Sequence, residues 1–153
     1  MRVNTTDPDF RYDPEDPEGF RSGMFRPGPS LGATRTGATV YDLPPGQAIC
    51  PYHYELAEEE WAYVIAGRPT LRTPEGTAQL EPAELVFFPM GPEGAHQLRN
   101  DTEEPVRLLM FSNVVYPAAT IYPDSDKVGV YPGELGESML FPRSAKVDYF
   151  HGE

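Results

Sequence analysis

Proline and glycine set the strongest limit on how this chain can fold. Between residue 39 and about residue 116 no stretch keeps a 3.6-residue apolar period beyond three turns without meeting one of them. Crossover helices are therefore absent, and a parallel α/β sheet, which needs them, is excluded. What remains is a series of short runs at 39–43, 49–55, 60–65, 70–73, 77–80, 84–89, 96–100 and 106–113. They are cut by Pro44-Pro45-Gly46, Ala66-Gly67-Arg68-Pro69, Pro74-Glu75-Gly76 and Gly91-Pro92-Glu93-Gly94. Closely spaced short strands with turn signals between them predict an all-β sandwich or barrel.

The flanks read differently from this middle. Asp13-Pro14-Glu15-Asp16-Pro17-Glu18-Gly19 and Arg26-Pro27-Gly28-Pro29-Ser30 leave no room for a helix in residues 1–38. Phe10, Tyr12, Phe20, Met24, Phe25 and Leu31 make the same segment too apolar for a solvated tail. An extended arm lying on the barrel or on a partner subunit is expected. Residues 39–116 form the barrel core, and residues 117–153 an irregular extension packed on the outside, with 147–151 as one last short strand. No repeat recurs at a fixed period.

A length of 153 residues accommodates one domain and one core. Twenty-four acidic against 12 basic side chains give a net charge of -12, which repels nucleic acid and anionic membranes over most of the surface. No run of about 18 apolar residues is available to span a bilayer, and the first seven residues lack the apolar region of a secretory signal, so a cytoplasmic location is expected. Cys50 is the single cysteine. It has no disulfide partner and belongs to no cysteine cluster, so a metal would be held by nitrogen and oxygen.

Such donors converge in the middle segment. His53 and Glu55 lie two apart on an expected strand and so leave the same face. Glu60 opens the next strand after Leu56-Ala57-Glu58-Glu59 and returns opposite them in a hairpin; a register shift of one would put Glu59 there instead. His96 follows the turn-rich 89–95 and supplies a fourth candidate ligand from across the barrel. Two imidazoles with one or two carboxylates suit one divalent ion of the Fe, Mn, Ni or Zn kind. If Glu55 and Glu60 both bind, their charges cancel that of the ion; if Glu60 alone binds, the set is two histidines and one carboxylate with open positions. Cys50, three before His53, falls on the opposite face of a regular strand. Gln97 and Arg99 should point outward, while Leu98 and Asn100 share the side of His96. Tyr41, Tyr52, Tyr54, Trp61, Tyr63, Phe87, Phe88 and Phe111 are read mostly as core or dimer-interface aromatics. No dedicated general base stands out, although Glu55 or Glu59 could serve if free of metal.

The stretch Gly46…His53-Tyr-Glu55…Glu60…Gly67 resembles the first motif of the cupin superfamily, and Pro89-Met-Gly-Pro-Glu-Gly-Ala-His96-Gln-Leu-Arg-Asn100 resembles the second. Glu55 stands where that family usually has its second histidine, and Pro82-Ala83 where the second motif usually opens with glycine. The resemblance implies a double-stranded β-helix, or jelly-roll barrel. It also implies His53, Glu60 and His96 as metal ligands, with Glu55 beside them. A metal-dependent enzyme acting on a small oxygen-rich molecule, of dioxygenase or isomerase type, is then expected. The alternative is a non-catalytic module that binds or senses a small molecule. A homodimer is expected, from the resemblance and from the apolar arm and strand edges that need cover.

Overall fold

A computed structural model describes residues 1–153. Twelve strands follow in order: β1 (Gly23–Phe25), β2 (Thr36–Leu43), β3 (Tyr54–Glu55), β4 (Glu60–Ala66), β5 (Thr70–Thr73), β6 (Gly76–Gln79), β7 (Leu85–Phe88), β8 (Gln97–Arg99), β9 (Val106–Asn113), β10 (Ala118–Tyr122), β11 (Lys127–Tyr131) and β12 (Met139–Pro142). Gly28–Leu31 makes one turn of α-helix. All strand pairings are antiparallel, and the fold is a jelly roll. No helix is long and apolar enough to cross a membrane.

One wall is the five-stranded sheet β1-β2-β9-β4-β7. The facing wall is built from β6-β5-β8 and β3-β10-β11-β12, stitched together by the segment 48–53. That segment bridges Ala48 to Arg99 and His53 to His96. Leu43, Ala62, Val64, Phe88, Val106, Leu108 and Met110 point inward from the first wall and meet Leu71 and Leu98 of the second, with Leu80 closing the same core. Alternation explains the selection: on β9, Val106, Leu108 and Met110 are buried while their neighbours are not. The fully buried Asn100 closes the end of the core. Its amide donates to the carbonyls of Leu43 and Glu104, and its Oδ1 accepts from the backbone and hydroxyl of Thr102. This is the turn-holding role its place beside His96 suggests.

Several expectations need correction. The segment 49–55 is no continuous strand: only Tyr54 and Glu55 form one, and the rest bends. Residues 1–38, expected to hold no helix, contribute β1, paired with β2 from Gly23↔Asp42 to Phe25↔Val40, and the helical turn Gly28–Leu31, which fits among prolines because it is a single turn. Farther upstream the Gln47 side chain accepts from the amides of Gly19 and Arg21, which fastens the arm to the β2–β3 connection. The C-terminal extension, read as irregular, is a hairpin of β10 and β11 with β12 along its edge. Residues 147–151 form turns and bends, not a strand. Ala83 sits at φ +72, a left-handed conformation that costs a side-chain-bearing residue about 1 kcal/mol. This is the position where the motif usually carries glycine.

Candidate metal centre

Backbone pairing places the two imidazoles. His53 and His96 face each other across an antiparallel bridge, each amide donating to the other's carbonyl at 3.1 and 2.8 Å. Directly paired residues project side chains to the same face, and the ring centroids lie 4.6 Å apart. Glu60, first residue of β4, reaches in from the opposite wall. Its Oε2 is 3.7 Å from the Nε2 of both His53 and His96. That spacing is too long for a hydrogen bond. It matches donors on either side of an ion that lies about 2.1 Å from each.

Hydrogen bonds fix which atoms face the centre. His53 Nδ1 lies 3.0 Å from the Pro51 carbonyl and His96 Nδ1 2.9 Å from the Gly94 carbonyl, so each Nδ1 carries the donated proton. In a neutral ring this leaves the Nε2 lone pair free, the tautomer a metal-binding histidine needs. His96 Nε2 and Glu60 Oε2 are buried and have no hydrogen-bond partner. Orphaned buried acceptors are costly, and a shared cation is the simplest group that would satisfy both. Phe88 stacks on His96 with centroids 3.6 Å apart, locking the ring plane.

The ionisation states follow from burial and neighbours. Burial, reinforced by the adjacent His53, pushes His96 down to about 4, so its ring is neutral. At His53 burial opposes the charge, but the Cys50 sulfur and the Glu60 carboxylate outweigh it and carry the pKa up to about 11. Without an ion this ring therefore holds a proton on both nitrogens, and a metal would have to displace the one on Nε2. Burial alone would raise Glu60; the two imidazoles outweigh it and hold the carboxyl below its ordinary value.

His53, Glu60 and His96 are thus brought together, with ligating atoms all within 4.8 Å of one another, as a group that could hold a metal ion. Glu55 lies beside them, its Oε1 3.7 Å from His53 Nε2, but is tethered elsewhere: the Thr120 hydroxyl contacts its two oxygens at 2.7 and 2.8 Å. Glu59 faces away, its amide bonded to Asn113, so Glu60 holds the register. Cys50 is not on the opposite face, because the chain bends there. Its sulfur lies 3.5 Å from His53 Nδ1 and lines the same cavity, outside the three-residue group.

That cavity, about 490 Å³, is lined by His53 and Glu60; His96 lies behind them, buried outside its lining. Much of its wall comes from residues outside the motifs: Thr120 and Tyr122 of β10, Tyr131 of β11, Tyr116 before them, and Arg26 of the arm. The Tyr122 and Tyr131 hydroxyls share a 2.6 Å hydrogen bond, and burial together with that bond keeps Tyr122 un-ionised. Sequence reasoning missed these residues. The available signal was Ala-Ala-Thr-Ile-Tyr and Lys-Val-Gly-Val-Tyr on either side of Pro-Asp-Ser-Asp, two β-rich runs flanking a turn.

Burial, only partly relieved by the Thr120 hydroxyl, pushes Glu55 up to about 7. An unfolded chain ionises this group near 4.5. Between those values the native state holds more protons, so this contribution to stability is present at low pH and is lost as pH rises from about 4.5 through about 7. In chelator-treated protein, Glu55→Gln should raise stability at pH 8 by about 2 kcal/mol, or roughly 5 °C in Tm, and change it little at pH 4.5. Thermal scans at both pH values check this; an equal shift at both would show that the carboxylate carries no burial penalty.

Comparison with known proteins follows the same lines. A family model for the cupin domain matches residues 39–112. No curated protein matches the chain in sequence. Among solved structures, a candidate sugar phosphate isomerase from Acidithiobacillus ferrooxidans superposes with a TM-score of 0.78 at 25% identity, covering 85% of this chain and 81% of that one. A sugar phosphate isomerase of the cupin superfamily from Silicibacter pomeroyi superposes at 0.83 and 19% identity, covering 95% and 94%. The polyketide cyclase RemF from Streptomyces resistomycificus does so at 0.62 and 23% identity, covering 74% and 78%. The domain match spans both histidine-bearing segments and the folds superpose beyond it, so residues 39–112 of this chain carry a cupin domain.

Proposed function

We propose that this protein is a metal-dependent enzyme of isomerase type acting on a small oxygen-rich molecule. The observation that carries the reading is the convergence of His53 Nε2, His96 Nε2 and Glu60 Oε2, two of them buried acceptors without a partner, with His53 and Glu60 lining an open cavity. The donor set fits one divalent ion of the Fe, Mn, Ni or Zn kind, and three protein ligands leave positions for substrate oxygens. Such an ion polarises a carbonyl bound to it.

The chain's own residues supply the proton chemistry. Glu55 stands beside the donor set without being one of the three, aimed by Thr120. It would accept a proton from the carbon next to a substrate carbonyl and return it to the neighbouring carbon. In the first half the C–H electron pair becomes the enediol double bond while the carbonyl π pair moves onto its oxygen, which takes up a proton. In the second the neighbouring hydroxyl gives up its proton and becomes the new carbonyl while the double-bond pair forms the new C–H bond, so nothing is oxidised overall. The paired hydroxyls of Tyr122 and Tyr131 line the same wall and can donate to substrate oxygens. The sugar phosphate isomerases among the similar structures support the substrate class. The test incubates metal-loaded protein with aldoses, ketoses and their phosphates in deuterium oxide. Deuterium should enter at the carbon next to the carbonyl, and Glu55→Gln should abolish this while keeping its metal. Oxygen consumption without exchange would point to the dioxygenase, and binding without turnover to the sensing module.

We further propose a homodimer through the outer face of β9-β4-β7. There Trp61 lies 4.7 Å from Phe87 and stacks on Phe111 at 6.1 Å. Tyr63, Ile65, Leu85 and Met90 are also exposed. Partly exposed side chains of this size leave on the order of 500 Å² of apolar surface, as large as the patches that mark interaction sites. The patch residues carry no charge, in a chain whose net charge of -12 repels a second copy elsewhere. Sedimentation should show a dimer for the wild type and a monomer for Trp61→Glu with unchanged circular dichroism; a monomeric wild type at micromolar concentration would refute it.

A further inference from the structure

The cavity wall carries the carboxylates of Glu55, Glu58 and Glu60, a single arginine, Arg26, and no lysine. Acidic groups are in excess throughout this chain, and Arg68, Arg72, Arg99, Arg107 and Arg143 each pair with a carboxylate. Arg26 does not. Its one side-chain partner is the Met24 sulfur, 3.4 Å from Nη2 and a weak acceptor. Its position is nevertheless well fixed. It follows β1 directly, and Met24 and Phe25 before it are in register with Tyr41 and Val40, while Pro27 after it is buried. Tyr41, across from Met24, lines the same cavity, and its phenol feels both the Arg26 cation and the Glu60 carboxylate. Arg26 is exposed, whereas His53 is buried and Glu60 half-buried on the wall of the same cavity, so Arg26 stands toward the mouth and these two donors toward the floor.

An unpaired guanidinium on the wall of a carboxylate-rich cavity is not explained by any bond within the protein. Its planar fork is shaped for two oxygens of a carboxylate or a phosphate. We propose that Arg26 anchors an anionic group at one end of the substrate while hydroxyl or carbonyl oxygens at the other end reach the floor. This rests on the reading of the floor as a metal centre and narrows its substrate to an anionic polyol, a sugar acid or a sugar phosphate, in place of a neutral sugar. Arg26 is then a specificity-determining residue supplied by the N-terminal arm, which gives the arm a function in the site besides covering the barrel.

The test is calorimetric titration of metal-loaded protein with three matched probes: glucitol, gluconate and glucitol 6-phosphate. The wild type should bind at least one anionic probe ten-fold or more tightly than glucitol, and the preferred anion tells carboxylate from phosphate. Arg26→Gln should lose at least ten-fold for that anion and nothing for glucitol, with metal content unchanged; Arg26→Lys should recover part of the loss. Equal binding of all three probes by the wild type, binding of none, or an anion preference that survives in Arg26→Gln would each overturn the proposal. The same titration on a His53→Ala variant separates the two readings. An Arg26-dependent preference with no metal bound by the wild type would leave the anion site standing and remove the metal reading. Stoichiometric metal without an anion preference would do the reverse.

Discussion

His96→Ala is expected to abolish stoichiometric metal binding. Protein purified without an affinity tag and equilibrated with Mn, Fe, Ni or Zn should carry about one ion per chain. The variant should bind at least about 100-fold more weakly, more than the loss seen when only an outer-shell partner is removed. His96 is the decisive position because every feature of its setting presents one atom. Its Nδ1 proton is engaged by the Gly94 carbonyl, and Phe88 holds the ring plane. Burial beside His53 keeps the ring neutral down to about pH 4, and Nε2 is left without a partner. Truncation deletes one of three donors, and neither Glu60 nor His53 can move to replace it. His151→Ala is the control, since the third histidine is exposed in the terminal turn and should leave metal content unchanged. A second readout needs no metal analysis. An ion present at 100 times its Kd stabilises the fold by about 2.7 kcal/mol, so added metal should raise Tm by several degrees in wild type and not in His96→Ala. Full metal content in the variant would remove the basis of the proposed function.

How far the sequence could reach is visible in these residues. His53, Glu60 and His96 were legible through the motif spacing, which also favoured Glu60 over Glu59; only Glu60 lies on a strand, while His53 and His96 pair in an isolated bridge just before β3 and β8. β5 and β9 were legible to the residue because their alternation and bounding turns can be read locally. Glu55 was harder. Spacing from His53 put it on the correct face, but its tether is Thr120, 65 residues away, and Thr120↔Glu55 pairing depends on β10 adding to the two-residue β3. Long-range strand pairing leaves no local trace, so a segment that reads as loop by its prolines can still be a sheet edge. Cys50 failed for a different reason: strand periodicity was assumed where the chain bends, and a broken period turns opposite faces into neighbours. Arg26 was hidden inside a proline-rich arm whose placement on β2 is fixed by hydrogen bonds, not by apolar pattern.

Gly94→Ala should be among the most damaging single methyl additions in the chain, although Gly94 touches no ligand. A Cβ built there would stand 1.7 Å from the Pro89 carbonyl oxygen, 2.8 Å from its carbon and 3.1 Å from its nitrogen. All three are backbone atoms, so no rotamer change relieves the overlap, and the turn between β7 and His96 must open. Overpacking of this kind costs about 3 kcal/mol or more, roughly 10 °C in Tm for a chain of this size. Opening the turn also moves the Gly94 carbonyl that accepts from His96 Nδ1, so metal affinity should fall along with stability. Gly91→Ala separates the two causes. Gly91 has φ +85 and ψ -174, a region essentially reserved for glycine, and nothing within 4 Å of its added Cβ, so it should lose about 1–3 kcal/mol of backbone strain, with no steric overlap, and keep its metal. Denaturant melts of both variants with metal titrations measure the contrast. If the two cost the same, close contact at Gly94 is not what shapes this turn. If Gly94→Ala folds less stably but binds metal as tightly as wild type, the turn does not position the imidazole.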